Sequence, residues 1–161
     1  MAASLLLLST LGCNRKPREV TLDLTLRDVS QADTTAVVAE PPELYVPEGT
    51  QVRILVRNAT QQAHNFILVQ PGHIDDVLAA TPPAKADAKA DAKNDTKADA
   101  LGSQVLTRGP WVAPQSTQAT RFPAPLAGHY EFTCACGTAS HPRPLRGKLI
   151  NGLITNETMA E

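Results

Sequence analysis

Aromatic residues are scarce in this chain: one Trp, two Tyr and three Phe in 161 residues, 4% in all. A packed core must therefore lean on Val, Leu and Ile. An excess of one charge sign is missing too, since 15 Lys and Arg stand against 16 Asp and Glu for a formal net charge of -1. Phosphate backbones are gripped by a clustered basic excess, so this balance argues against nucleic acid as a partner. There is no long apolar run: the one from Leu5 to Leu8 is far too short to span a bilayer. Paired carboxylates and a serine-histidine arrangement, the marks of acid-base or nucleophilic catalysis, do not stand out, and no independent enzyme is expected. The length suits one ordinary domain with short appendages.

Cysteine is sparse and odd in number: Cys13, Cys134 and Cys136 cannot all pair within the chain. The first of them closes the segment MAASLLLLSTLG, an apolar run ending in small residues, which is the layout of an export signal. Leu11-Gly12-Cys13 resembles the end of a bacterial lipobox, where the cysteine is lipidated and becomes the mature N-terminus. Thr10 stands where an aliphatic residue is usual, and no Lys or Arg precedes the run. The expectation is an exported bacterial protein, periplasmic or membrane-anchored through lipid on Cys13. Residues 1-13 form the leader, and residues 14-161 a single domain.

Cys134 and Cys136 are one residue apart, so in a strand they point the same way with Cα atoms about 6.6 to 7 Å apart. That is at or beyond the usual disulfide limit of about 6.8 Å. Another job for at least one of them is expected.

The body of the chain reads as strands. In EVTLDLTLRDV (19-29), Val20, Leu22, Leu24 and Leu26 alternate with Thr21, Asp23, Thr25 and Arg27, the period of a half-buried strand. ELYVPEGTQVRILVRNA breaks at Pro47-Glu48-Gly49 and resumes with Val52, Ile54 and Val56 alternating, which predicts two strands joined by a turn. HNFILVQPG, QATRFPAP, HYEFTCAC and RGKLINGLIT complete the set. Short strands between turn signals, with no convincing helical period, predict an all-β antiparallel sandwich.

One stretch breaks the pattern. Residues 84-100, AKADAKADAKNDTKADA, repeat every four residues, with Lys85, Lys89, Lys93 and Lys97 in one series and Asp87, Asp91, Asp95 and Asp99 in another. Such a charged repeat has nothing to bury, so a surface insertion at about 82-102 is expected. Alanine favours helix, while like charges at i,i+4 oppose it; a short frayed helix and a solvated loop both fit.

Metal-binding side chains concentrate late in the chain. Cys134, Cys136 and His141 fall within eight residues, and His64 opens a distant strand. Thiolate with imidazole suits copper, zinc or iron-sulfur chemistry, and one cysteine with two histidines is the blue-copper set. A structural zinc would want a fourth protein ligand, and none is obvious.

These residues resemble the cupredoxin family, most closely azurins and plastocyanins. His64-Asn65-Phe66-Ile67-Leu68 matches the His-Asn motif that opens the ligand strand. Gly128-His129-Tyr130-Glu131-Phe132-Thr133-Cys134 matches the Gly-x-Tyr-x-Phe-x-Cys strand, and Leu145-Arg146-Gly147-Lys148-Leu149 resembles Met-x-Gly and the last strand. The resemblance covers roughly residues 40 to 154 and implies a Greek-key β-sandwich holding one copper ion. It implies electron transfer with a redox partner protein, with His64, His141 and one of Cys134 or Cys136 as ligands.

The thiolate stays open between two cysteines. The upstream strand selects Cys134; the spacing Cys136-x4-His141-x3-Leu145 selects Cys136. Leu145 replaces the axial methionine, Ala63 sits where azurins offer a carbonyl oxygen, and Asn65 matches the residue that steadies the ligand loop. His73 and His129 lack such support and are read as surface residues, and Trp111 as a packing or surface residue. Two other readings remain: a Cu(I) storage or delivery module using Cys134 and Cys136 together, and a metal-free cupredoxin fold kept for protein interaction.

Overall fold

The computed structural model describes residues 16-31, 34-80, 102-134 and 144-152. Within them the alternating segments form strands: β1 (Glu19–Gln31), β2 (Thr34–Glu40), β3 (Glu43–Val46), β4 (Gln51–Asn58), β5 (Ile67–Val69), β6 (Val105–Arg108), β7 (Thr117–Pro123), β8 (Gly128–Thr133) and β9 (Gly147–Asn151). Period-two patterning sets which side of each strand is dry. In β1, Leu24 and Leu26 are buried while Asp23 and Arg27 face water. In β4, Val52, Ile54 and Val56 are buried, and so is Asn58, two residues further along the same face.

The strands lie in two sheets, one in the order β2-β1-β4-β7 and the other β3-β9-β8-β5-β6. The sandwich stands, but it is not wholly antiparallel: β1 pairs in parallel with β4, and β3 with β9. The cause is sheet switching. At the Pro47-Glu48-Gly49 turn, where Gly49 takes φ +67°, the chain passes from β3 in one sheet to β4 in the other. A strand that returns after such an excursion lies beside an earlier one in either sense, whereas a hairpin permits only the antiparallel sense. Strands β2 and β6 lie outside the segments that the alternation picked out.

Between the sheets lies one apolar cluster, with Leu24, Leu26, Val52, Ile54, Val56 and Phe122 from one side and Leu44, Val46, Phe66, Leu68, Phe132 and Leu149 from the other. All three phenylalanines meet in it. The Phe66 ring lies 6.1 Å from Phe122 and 5.3 Å from Phe132 between centroids, within the range of favourable aromatic pairs. The scarce aromatics are thus concentrated where the two sheets join.

A helix, α1 (Ile74–Ala80), was not expected. Its buried Ile74 and Val77 stand three apart, the spacing of one helical face, but seven residues are too few for the period to be legible in sequence. Val77 packs with Ile67 and Val69 of β5, so this short strand is buried on both faces. The helix precedes the Lys/Asp repeat; residues 84-100, expected as a frayed helix or solvated loop, are outside the described residues.

Candidate metal centre

The segment after β4 carries more hydrogen bonds than its length suggests. Asn58 is fully buried. Its side-chain nitrogen donates to the carbonyls of Gln62 at 2.6 Å and Val112 at 2.9 Å, and its side-chain oxygen accepts the Thr60 N–H at 2.9 Å and faces the Thr60 hydroxyl at 2.8 Å. These bonds fold residues 58-62 into a tight polar knot. His64 then pairs with Val112 through two backbone bonds, N–H to carbonyl, of 3.1 and 2.6 Å. Each buried amide and carbonyl so paired escapes the cost of leaving water unpaired, about 1 to 3 kcal/mol per group.

The knot fixes the His64 ring. The ring is fully buried, with Nε2 2.8 Å from Thr60 Oγ1 and Nδ1 3.4 Å from Cys134 Sγ. Cys134 follows β8 directly, is 4% exposed, and takes the backbone N–H of Asn65 on its sulfur at 3.4 Å. Residues 70 positions apart in the chain thus bring an imidazole nitrogen and a sulfur together in a dry pocket. The separation is short enough for one ion, at bond lengths of about 2.0 to 2.3 Å, to touch both. Soft sulfur with imidazole is a donor set that fits copper.

Cys134 is disulfide-bonded, whereas another job was expected for at least one of Cys134 and Cys136. Cys13 and Cys136 are both outside the described residues. His141 is outside them as well, so the third donor and the choice between Cys134 and Cys136 lie beyond what is described. Among the described residues no three His, Cys, Asp or Glu side chains gather as a metal site.

Both flanks of residues 135-143 are held. Leu145 is 4% exposed and belongs to the same apolar cluster as Cys134 and Phe132, and its carbonyl accepts the Thr133 hydroxyl at 2.6 Å. Two residues on, Gly147 lies against the Phe132 ring so closely that a Cβ there would sit 2.1 Å from Cζ. Beyond Leu145, Arg146 pairs with Asp75 of α1. Ala63 is half-buried immediately before the His64 bridge.

The remaining histidines face outward. His129 is exposed, and the half-exposed His73 pairs with Asp76 at 3.1 Å. Trp111 is 38% exposed, one residue from Val112. Asn58, Thr60 and Val112 were missed in sequence. A signal existed for the first: Asn58 occupies the inward slot of the Val52, Ile54, Val56 series, where an amide must find partners.

No family profile matches the chain, and no characterised protein matches it in sequence. Solved structures do. Auracyanin A, a "blue" copper protein from the green thermophilic photosynthetic bacterium Chloroflexus aurantiacus, is similar with a TM-score of 0.57 and 24% identity, covering 83% of this chain and 99% of that one. Auracyanin B matches with a TM-score of 0.54 and 23% identity over 86% of this chain and 92% of that one. The dithionite-reduced auracyanin of the photosynthetic bacterium Roseiflexus castenholzii matches with a TM-score of 0.54 and 19% identity over 82% and 96%.

Proposed function

We propose that this chain, which has the cupredoxin fold, is an exported electron carrier that binds one copper ion and transforms no substrate. The buried juxtaposition of His64 Nδ1 and Cys134 Sγ at 3.4 Å supports this reading most. His64, the Cys134 thiolate and His141 would hold the ion, which when bound supplies a one-electron couple between Cu(II) and Cu(I). The rest is done by the chain itself. The knot at residues 58-62 holds the imidazole, and the Asn65 N–H directed at Cys134 draws electron density from the sulfur. The packed sandwich beneath lets both oxidation states share one donor geometry. Leu145, a hydrocarbon where the resembling family has a methionine, offers no donor atom, and one donor fewer would favour Cu(I) and raise the potential.

Cys134 becomes a donor only after its disulfide takes up two electrons and two protons, so treatment with a dithiol reductant precedes loading. The leader ending at Cys13 supports export and a lipid anchor. The electron would be exchanged with a partner protein outside the cytoplasm.

The test is a visible absorption and electron paramagnetic resonance spectrum of the reduced, copper-loaded chain. An intense thiolate-to-copper band is expected, lost in Cys134→Ser and kept in Cys136→Ser. Bound copper without colour would sink the electron-transfer reading. Comparable losses from both cysteine variants would favour the Cu(I) storage module.

A further inference from the structure

We infer that Thr60 is a positioning residue that selects the tautomer of His64, placing the ring proton on Nε2 and the lone pair on Nδ1, the nitrogen facing Cys134. The inference rests on the copper reading for its purpose but on hydrogen-bond counting for its substance. A threonine hydroxyl has one proton to give and two lone pairs. Around Thr60 Oγ1 stand Asn58 Oδ1 at 2.8 Å, the Gln62 carbonyl at 3.0 Å, the Gln62 N–H at 3.2 Å and His64 Nε2 at 2.8 Å. The Asn58 amide orientation is fixed, because its nitrogen faces two carbonyls and its oxygen faces the Thr60 N–H. Asn58 Oδ1 and the Gln62 carbonyl can therefore only accept.

The single Thr60 proton goes to one of these two oxygens, and the lone pairs of Oγ1 take the Gln62 N–H and His64 Nε2–H. The opposite arrangement, with the hydroxyl donating to Nε2, would leave Oγ1 facing two acceptor oxygens with no proton between them. Thr60 is itself fully buried, so water does not compete for these positions. A neutral imidazole carries one ring proton; with that proton on Nε2, Nδ1 presents its lone pair 3.4 Å from Cys134 Sγ. Partners on the far nitrogen of a ligating histidine fix its tautomer and orientation, and their loss typically costs about 10- to 100-fold in metal affinity.

The experiment uses the full-length, copper-free chain, reduced and 15N-labelled. The ring nitrogens of His64 are read by long-range proton-nitrogen correlation and assigned by their absence in His64→Gln. A protonated Nε2 and an unprotonated Nδ1 are expected in the parent chain and in Thr60→Ser, which keeps the hydroxyl. Thr60→Val should lose the single tautomer, and its copper affinity should fall by about 10- to 100-fold with Thr60→Ser restoring it. A protonated Nδ1 in the parent chain overturns the assignment even if Thr60→Val fails to fold, and so does an unchanged tautomer in a folded Thr60→Val. The two proposals fail separately: a protonated Nε2 with no copper uptake sinks the copper reading alone, whereas copper uptake by a chain with protonated Nδ1 sinks only the role of Thr60.

Discussion

Glu43 and Tyr45 stand two apart on β3 and so share a face; the phenol donates to the carboxylate at 3.0 Å. Lys148, directly opposite Glu43 on β9, reaches the same carboxylate at 3.2 Å. The Tyr45 hydrogen bond, then the Lys148 hydrogen bond and charge, hold the Glu43 carboxyl below its usual value. The Glu43 hydrogen bond, then its charge, push the Tyr45 phenol above its usual value. The signs follow by linkage. A raised phenol stabilises the fold below the unfolded tyrosine value of about 10, and loses that contribution as pH rises through the folded value. A lowered carboxyl stabilises above the unfolded glutamate value, and loses that contribution as pH falls through its folded one. An ultraviolet titration should show Tyr45 ionising above pH 10 or so, and Glu43→Gln should bring it down; an unmoved midpoint in Glu43→Gln would refute the pairing.

A different residue-scale logic governs legibility. His64 and Cys134 stood out in sequence as candidate ligands because metal-ligand chemistry is restricted to a few side-chain types. Thr60 and Asn58 were not, because threonine and asparagine are common in turns and their partners, Val112 and Gln62 carbonyls, are backbone atoms that carry no sequence signature. What composition cannot reveal at these positions is which distant segment folds back to meet them.

Among the elements, β9 depends most on one residue. Gly147 pairs with Phe132 across the β8-β9 ladder, and a side chain in its place would collide with the Phe132 ring. The ring is fully buried and packed against Phe66. Gly147→Ala is expected to destabilise the fold by about 1 to 3 kcal/mol, the usual cost of overpacking. Chemical denaturation would measure it, and a stability equal to the parent's would show that the ring yields. Strand positions such as β1, β4 and β8 were legible because one face is wet and the other dry. The parallel pairings were not, since alternation reports which side of a strand is buried and is silent on its neighbours. Helix α1 escaped for want of length, and β5, a strand buried on both faces, shows no alternation at all.

At the scale of the whole molecule, the sandwich brings a turn segment following β4 and the end of β8 to one place, with the Phe66, Phe122 and Phe132 cluster in the core between the sheets. Fold class followed from strand patterning and from the His-Asn and Gly-x-Tyr-x-Phe-x-Cys motifs, while the interior of the site depended on contacts 70 residues apart in the chain. Among the described residues no helix is long and apolar enough to cross a membrane, so the membrane association proposed above rests on the leader and Cys13.

The single tryptophan gives this arrangement an optical readout of its own. Trp111 adjoins Val112, whose backbone N–H and carbonyl are both bonded to His64, and the residue is 38% exposed. A rearrangement at the His64 bridge would occur one residue along the chain from its single tryptophan. Emission at tryptophan-selective excitation should be quenched as Cu(II) is added to the reduced protein and recover on chelation, with no such response in Cys134→Ser. If copper binds as proposed, Trp111 would report its occupancy without a label, at concentrations where a visible band would be too faint to follow.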